Sequence, residues 1–263
     1  MARAERSLDG MTDKDAAASV KTAGRTLDVF EAFAAGGEPM SLTELAERIG
    51  APLSSCHALI RTLQSRGYVY VLDQRRRFYP SKRMFDVASE IARRDPLLQR
   101  LAPIMAALRD GTGETVIAGK RQGNAAIYLE VVEGTHLIRY REHPGSKKPL
   151  HSSAIGKAIL GSLDEKALAA FVRDAKLPRM TPGTIVEGEK LLDDIRTSRA
   201  RGYYVTAGEN VADVAAFAVL CRPSGETLAL ALAGPTTRMR ANEAEYLQAL
   251  RQASRQVEEL GAV

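Results

Sequence analysis

Seven cations stand between residues 54 and 83 (Arg61, Arg66, Arg75, Arg76, Arg77, Lys82 and Arg83) against a single acid, Asp73. Their net charge of +6 exceeds the +5 carried by all 263 residues. A positive field gathered on one short segment of an otherwise balanced chain suits a binder of the phosphate backbone; a solvated basic face is the plain alternative. The same segment holds Ser54, Ser55 and His57, which can touch phosphates or base edges, and Arg61 can pair with guanine or meet phosphate. Other chemistry finds less support. There is no G-x-S-x-G elbow, and Gly156-Lys157 lacks the leading glycine of a phosphate loop because position 151 is His151. The histidines His57, His136, His143 and His151 have no zinc-site spacing. Cys56 and Cys221 make neither a disulfide framework nor a metal cluster. Ser152 beside His151 is a poor nucleophile and base, since adjacent side chains rarely face each other. No catalytic group, metal or cofactor is expected.

Periodicity supplies the elements that must position these groups. Val20, Ala23, Leu27, Phe30 and Phe33 recur at helical spacing over residues 20–35, stopped by Gly36-Gly37. Ser41 with Glu44 is a capping box opening a second helix whose stripe is Leu42, Leu45, Ala46 and Ile49. After a short turn, Ser54 or Ser55 can cap a third helix over 54–66, with Cys56, Leu59, Ile60 and Leu63 inward. Two helices joined by so short a turn make a helix-turn-helix. Residues 68–72 are aromatic and β-branched, and Arg77-Phe78-Tyr79 can return as a partner strand, giving a hairpin wing tipped with arginines. The expected DNA-facing set is Thr43, Ser54, Ser55, His57, Ala58, Arg61, Arg75, Arg76 and Arg77. The wing arginines would give affinity, and the helix sequence choice. A winged helix that binds protein rather than DNA is the competing reading.

The chain's 263 residues and 45% hydrophobic content fit two domains. Residues 1–18 mix both charges without the apolar stretch of a signal peptide and read as a disordered arm of a cytosolic protein. Residues 19–80 are the winged helix, 81–94 a linker helix and 95–263 an α+β domain on a largely antiparallel sheet. Within the last, strands are expected at 115–120, 125–132, 135–141, 214–222 and 226–233, and helices at 152–160, 164–175, 187–201 and 241–260. The longest apolar run, 214–221, is strand-sized and far too short to span a bilayer. The small residues of His151-Ser152-Ser153-Ala154 leave the amides of a helix start uncovered, where the dipole favours a carboxylate; simple capping by Ser152 or Ser153 is the alternative. Tyr128, Tyr140, Phe217, Val219 and Cys221 alternate along strands and line either a core or a ligand pocket.

In order along the chain stand the runs from Ser41 to Gly50 (SLTELAERIG), Ser54 to His57 (SSCH), Thr62-Leu63 and Gly67-Tyr68. Then come Gly113-Glu114-Thr115, the run from Leu150 to Ala158 (LHSSAIGKA), Arg201-Gly202-Tyr203 and Gly234-Pro235. With these the chain resembles the IclR family of bacterial regulators over about 19–261. The resemblance implies a winged helix-turn-helix joined by a linker helix to a GAF/PAS-like effector domain. It also implies dimers or dimers of dimers on palindromic operators near catabolic genes, and an effector acid held by the amides of Ala154 and Ile155. Two departures matter. The family often has Arg where this chain has Ala58. Members that take glyoxylate-like acids pair Asp with Cys where this chain aligns Thr206 and Ala216, and Asp213 and Leu220 replace a usual Gly and Pro. A larger, less polar carboxylate is therefore expected, with Tyr128, Tyr140, Ser152, Ser153, Ala154, Ile155, Thr206, Phe217, Val219 and Cys221 as the effector set.

Overall fold

A computed structural model describes residues 20–72 and 76–260, so the expected arm at 1–18 and Arg75 lie outside the described residues. The chain divides into two units, Met1–Asp95 and Pro96–Val263.

The first unit strings together α1 (Lys21–Gly36), α2 (Leu42–Arg48), α3 (Leu53–Ser65), the antiparallel pair β1 (Val69–Leu72) and β2 (Arg77–Pro80), and α4 (Arg83–Arg94). The capping box forms: the Glu44 amide donates to the Ser41 hydroxyl at 3.3 Å, and the Ser41 amide donates to the Glu44 carboxylate at 2.7 Å. Neither Ser54 nor Ser55 caps α3. Pro52 takes the cap position, its ring presetting the φ needed for helix entry, so both hydroxyls stay available on the first turn. Val29, Phe33, Leu45, Ile60, Leu63 and Val69 close one small core under the helices and the hairpin. That single buried cluster fixes α3 against its neighbours and leaves its opposite face in solvent.

In the second unit α5 (Pro96–Thr112) leads into β3 (Thr115–Gln122), β4 (Ala125–Val132) and β5 (Lys147–Pro149). Then follow α6 (Ala154–Gly161), α7 (Glu165–Asp174), α8 (Gly188–Arg201), β6 (Tyr204–Ala207) and β7 (Val214–Cys221). The unit ends with β8 (Leu228–Pro235), α9 (Thr236–Ala241) and α10 (Glu243–Glu259). Among the described residues the sheet has six strands in the order β5-β4-β3-β8-β7-β6, each pair antiparallel. Along β8 the residues alternate Leu and Ala. Leu228, Leu230 and Leu232 enter a core with residues of α5 and α10, while Ala229, Ala231 and Ala233 face a second core with α6, α7 and α8. The sheet is thus sandwiched between two helical layers, and β8 turns its large side chains to one and its small ones to the other.

Several elements differ from expectation. Among the described residues, 135–141 form no strand. Arg139 and Arg141 reach back to Glu133, Thr115 donates to the Tyr140 carbonyl, and β5 holds the edge of β4 that such a strand needs. β6 has no separate forecast in the sequence, and the last helix is broken at Asn242 rather than continuous from 241. The linker helix begins at Arg83, two residues after the expected start.

Candidate functional site

On the first unit, Thr43, Ser54, His57, Ala58 and Arg61 are exposed and Ser55 is half-buried. Ser54, His57, Ala58 and Arg61 fall on successive turns of α3 away from its buried stripe of Cys56, Leu59, Ile60 and Leu63. A helix face of hydroxyls, an imidazole and a guanidinium can enter a major groove, with the positive charge set to meet phosphates. Arg76 is exposed at the end of the hairpin turn, with φ 47°. Arg77 corrects the expectation for the wing. Its guanidinium donates to the Pro39 carbonyl at 2.6 Å and to Glu44 at 3.0 Å, so it staples β2 to the start of α2 instead of reaching outward. Glu44 is already an acceptor in the capping box, and its hydrogen bonds with Ser41, joined by the Arg77 charge, hold its carboxyl below the ordinary range.

The second unit contains a cavity of about 30 Å³ between its sheet and α6. Ile117, Tyr128, Ala216, Ala231 and Ala233 contribute from the strands. Ser153, Ala154 and Ile155 line it from the start of α6, and Tyr140, Thr206, Asn210, Val211 and Val214 complete it. The Ser153 hydroxyl accepts the Gly156 amide at 3.1 Å and its carbonyl accepts the Lys157 amide at 2.8 Å. Ala154 and Ile155, whose amides are first-turn donors without an intrahelical acceptor, are among the lining residues. A Cβ at Gly156 would lie 2.5 Å from the Leu150 backbone, so only glycine lets this helix start press against the preceding chain.

Three of the expected effector residues lie elsewhere. Phe217, Val219 and Cys221 project into the core beneath α5 and α10, because the alternation of β7 gives the cavity face to Ala216, Ala218 and Leu220 instead. Ser152 is buried beside the cavity, not in its lining, and its hydroxyl accepts from the Asn210 amide at 3.2 Å. His151 is buried too, its Nε2 3.0 Å from the Pro178 carbonyl, and burial lowers its pKa against the opposing pull of that bond. Both cysteines are free and buried. Among the described residues no group of His, Cys, Asp and Glu is placed to hold a metal ion, and no helix is long and apolar enough to cross a membrane.

Sequence reasoning missed the clamp behind the cavity. Lys157 is fully buried, its ammonium 2.8 Å from both the Asp194 and the Glu209 carboxylates. Burial raises the Glu209 pKa and the Lys157 charge opposes it, with the net shift upward. Thr184 also donates to the Glu209 carbonyl at 2.7 Å. The loop bearing Asn210 is thereby tied to α6 and α8. A lysine inside an apolar helix carries that signal in the sequence; Asn210 carries none.

Comparisons with known proteins match both units. Residues 22–73 fit the model of the IclR helix-turn-helix domain, and 89–259 that of the bacterial transcriptional regulator IclR C-terminal domain. The regulator BhcR of Paracoccus denitrificans is 31% identical over 222 residues, covering 84% of this chain and 79% of the relative. The transcriptional repressor IclR of Escherichia coli is 32% identical over 190 residues, covering 72% and 69%. The crystal structure of Thermotoga maritima IclR superposes with a TM-score of 0.78 at 23% identity, over 92% of this chain and 99% of that one. A homologue from Microbacterium hydrocarbonoxydans, crystallised with 4-hydroxybenzoate, does so at 0.74 and 21%, over 92% and 100%.

Proposed function

The chain belongs to the IclR family of bacterial transcriptional regulators, and from that premise we propose that it grips a palindromic operator beside catabolic genes as a dimer or a pair of dimers. An organic carboxylate in the cavity of the second unit controls that grip. The observation that carries the DNA reading is the exposed face of α3, with Ser54, His57, Ala58 and Arg61 together beside the exposed Thr43 of α2. Arg76, and Arg75 outside the described residues, add phosphate affinity; Arg77 acts by holding the hairpin. Exposed Phe85 and Ile91 on α4 support self-association, since apolar side chains in solvent favour burial against a second copy. The regulator works in the cytoplasm, and repression is the mode its named repressor relatives suggest.

The effector site is read from the first-turn amides of Ala154 and Ile155 at a helix start beside a cavity that mixes apolar side chains with Ser153, Thr206, Asn210 and two tyrosines. Thr206 and Ala216 stand where an acid and a thiol serve smaller ligands in the resemblance, which favours a larger and less polar acid; the homologue that holds 4-hydroxybenzoate gives an aromatic example. So small a cavity has room for little more than water, and such an acid must push a wall aside as it enters. That displacement links occupancy to the shape of the unit.

Anisotropy titrations of labelled duplex flanking the gene test the first half. Affinity should fall with rising salt at a log–log slope of about −0.9 per phosphate neutralised, and Arg61→Ala should weaken binding about tenfold. Failure to bind any duplex at low salt would reject the reading. Thermal shifts with a panel of acids test the second half, and stabilisation by glyoxylate or pyruvate alone would overturn the larger-acid assignment.

A further inference from the structure

The walls of the cavity are not equally firm. α6 is buried along its whole length and locked from behind by Lys157. The strands that contribute, β3, β4, β7 and β8, are each paired on both sides. The Asn210 loop is held by the same lysine through Glu209, and by the hydroxyls of Thr181 and Thr184. The segment carrying Tyr140 is built differently. It forms no strand, and Leu137 at 95% and Ile138 at 73% exposure lie in solvent. A stretch that buries so little apolar surface opens more readily than its surroundings. It is the wall that yields.

Three consecutive residues hold that wall. The Gly113 carbonyl accepts the Thr135 amide at 3.0 Å. The Thr115 hydroxyl donates to the Tyr140 carbonyl and accepts the Gly134 amide at 3.0 Å. Between them Glu114, fully buried, accepts from Arg238 of α9 on both carboxylate oxygens, and the same guanidinium donates to the Ile138 carbonyl at 2.9 Å. The carboxylate has no freedom of its own, because a Cβ on Gly234 of β8 would overlap it. Nor can it release Arg238 without leaving a buried charge unpaired. The other side of these residues is α5. The Glu114 amide donates to the Thr112 hydroxyl at 3.3 Å, which donates in turn to the Leu108 carbonyl at 2.8 Å. Tyr246 of α10 donates to the Thr112 carbonyl at 3.0 Å, its oxygen 3.5 Å from the Glu114 carboxylate. The last turn of α5 and the yielding wall thus meet on one hydrogen-bonded motif. At its other end α5 follows α4 in the chain with Asp95 alone between them.

We propose that Gly113-Glu114-Thr115 is the coupling element of the sensor: a ligand that displaces the Tyr140 wall loosens the last turn of α5 through these residues, and α5 carries the change toward the DNA-binding unit. This rests on the cavity being the effector site. Opening the wall removes the partners of the Gly113 carbonyl, the Thr115 hydroxyl and one arm of Arg238, so the motif is held less firmly against α5. Coupling of this kind is reciprocal, and whatever loosens the end of α5 must also loosen the wall.

Amide hydrogen exchange on the full chain without ligand tests the coupling. In the parent protein 134–141 should exchange faster than 154–161 and 208–211; a slower rate there would overturn the choice of wall. Arg238→Gln, which acts on the wall, should raise exchange at 108–112, and Thr112→Val, which acts on α5, should raise it at 134–141. Each rise should be about fivefold, the worth of one hydrogen bond in an opening equilibrium. Should either variant fail to fold, Thr115→Val and Tyr246→Phe load the same two ends more gently. Leu250→Ala, in the core under α10, is the control for plain destabilisation. If it reproduces the pattern at an equal drop in thermal midpoint, or if each polar variant affects only its own segment, the coupling element is wrong. Benzoate and 4-hydroxybenzoate serve as probe acids in a second arm. A bound acid should change exchange at both segments together, and a change confined to 134–141 would overturn the relay. Acids that leave both segments untouched count against the effector-site reading, while the ligand-free result still decides the coupling.

Discussion

Arg76 holds a φ of 47° while its side chain is exposed at the hairpin turn. The left-handed region costs a non-glycine residue about 1 kcal/mol, which a solvated side chain does nothing to offset. Arg76→Gly should therefore leave the stability of the first unit unchanged or raise it by up to about 1 kcal/mol, while DNA affinity drops and the salt slope loses about one phosphate contact. Its neighbour should behave in the opposite way. Arg77→Ala removes a part-buried hydrogen bond to the Pro39 carbonyl and an ion pair to Glu44 that is half in water. The hydrogen bond is worth about 1 kcal/mol net and the solvated pair adds little, so the first unit should lose about 1 kcal/mol. Urea denaturation beside DNA titration separates the two residues. Equal losses of stability and affinity in both variants would defeat the distinction.

At the level of elements, β8 divides its two faces between two tasks. Leu230 and Leu232 help fill the core under α5 and α10, whereas Ala231 and Ala233 line the cavity. Leu230→Ala should destabilise the second unit by about 2–5 kcal/mol and leave the cavity lining intact. Ala231→Val should cost about 1–3 kcal/mol and weaken effector binding tenfold or more by filling scarce space. Calorimetry and thermal denaturation read both, and an Ala231→Val protein that binds as tightly as the parent would contradict the placement. This division also explains what was legible in the sequence. The three helices and the hairpin of the first unit follow from stripes, a capping box and β-branched residues that all agree. The helix start at Ala154 was legible from small residues after a polar pair. The assignment of Phe217, Val219 and Cys221 to the ligand failed because both faces of β7 are apolar, and period-two alternation names the faces without saying which meets a helix and which a cavity. The segment 135–141 looked like a strand because Leu137 and Ile138 are apolar, yet both are exposed and the segment is held by side chains that pattern reading does not weigh. Asn210 sits on a loop that Lys157 holds near from a distant part of the chain, a proximity no local pattern encodes.

At the level of the molecule, each unit closes its own core: one cluster in the first and two on either side of the sheet in the second. Scanning calorimetry should resolve two transitions. A bound acid at about one hundred times its Kd should raise only that of the second unit, by about 2.7 kcal/mol at the transition, and short operator duplex only that of the first. A single transition shifted by both would show the units melting as one. The small cavity has a further consequence for the sensor. A ligand that must wait for a wall to open binds with its intrinsic affinity divided by the open fraction, so the response threshold is written in the rigidity of the Tyr140 and Asn210 loops as much as in the contacts the acid makes. Each increment of about 1.4 kcal/mol by which the Lys157 clamp firms the Asn210 loop raises the triggering concentration tenfold. Relatives with the same contact residues could thus be set to report scarcity or abundance of one metabolite by substitutions that never touch it.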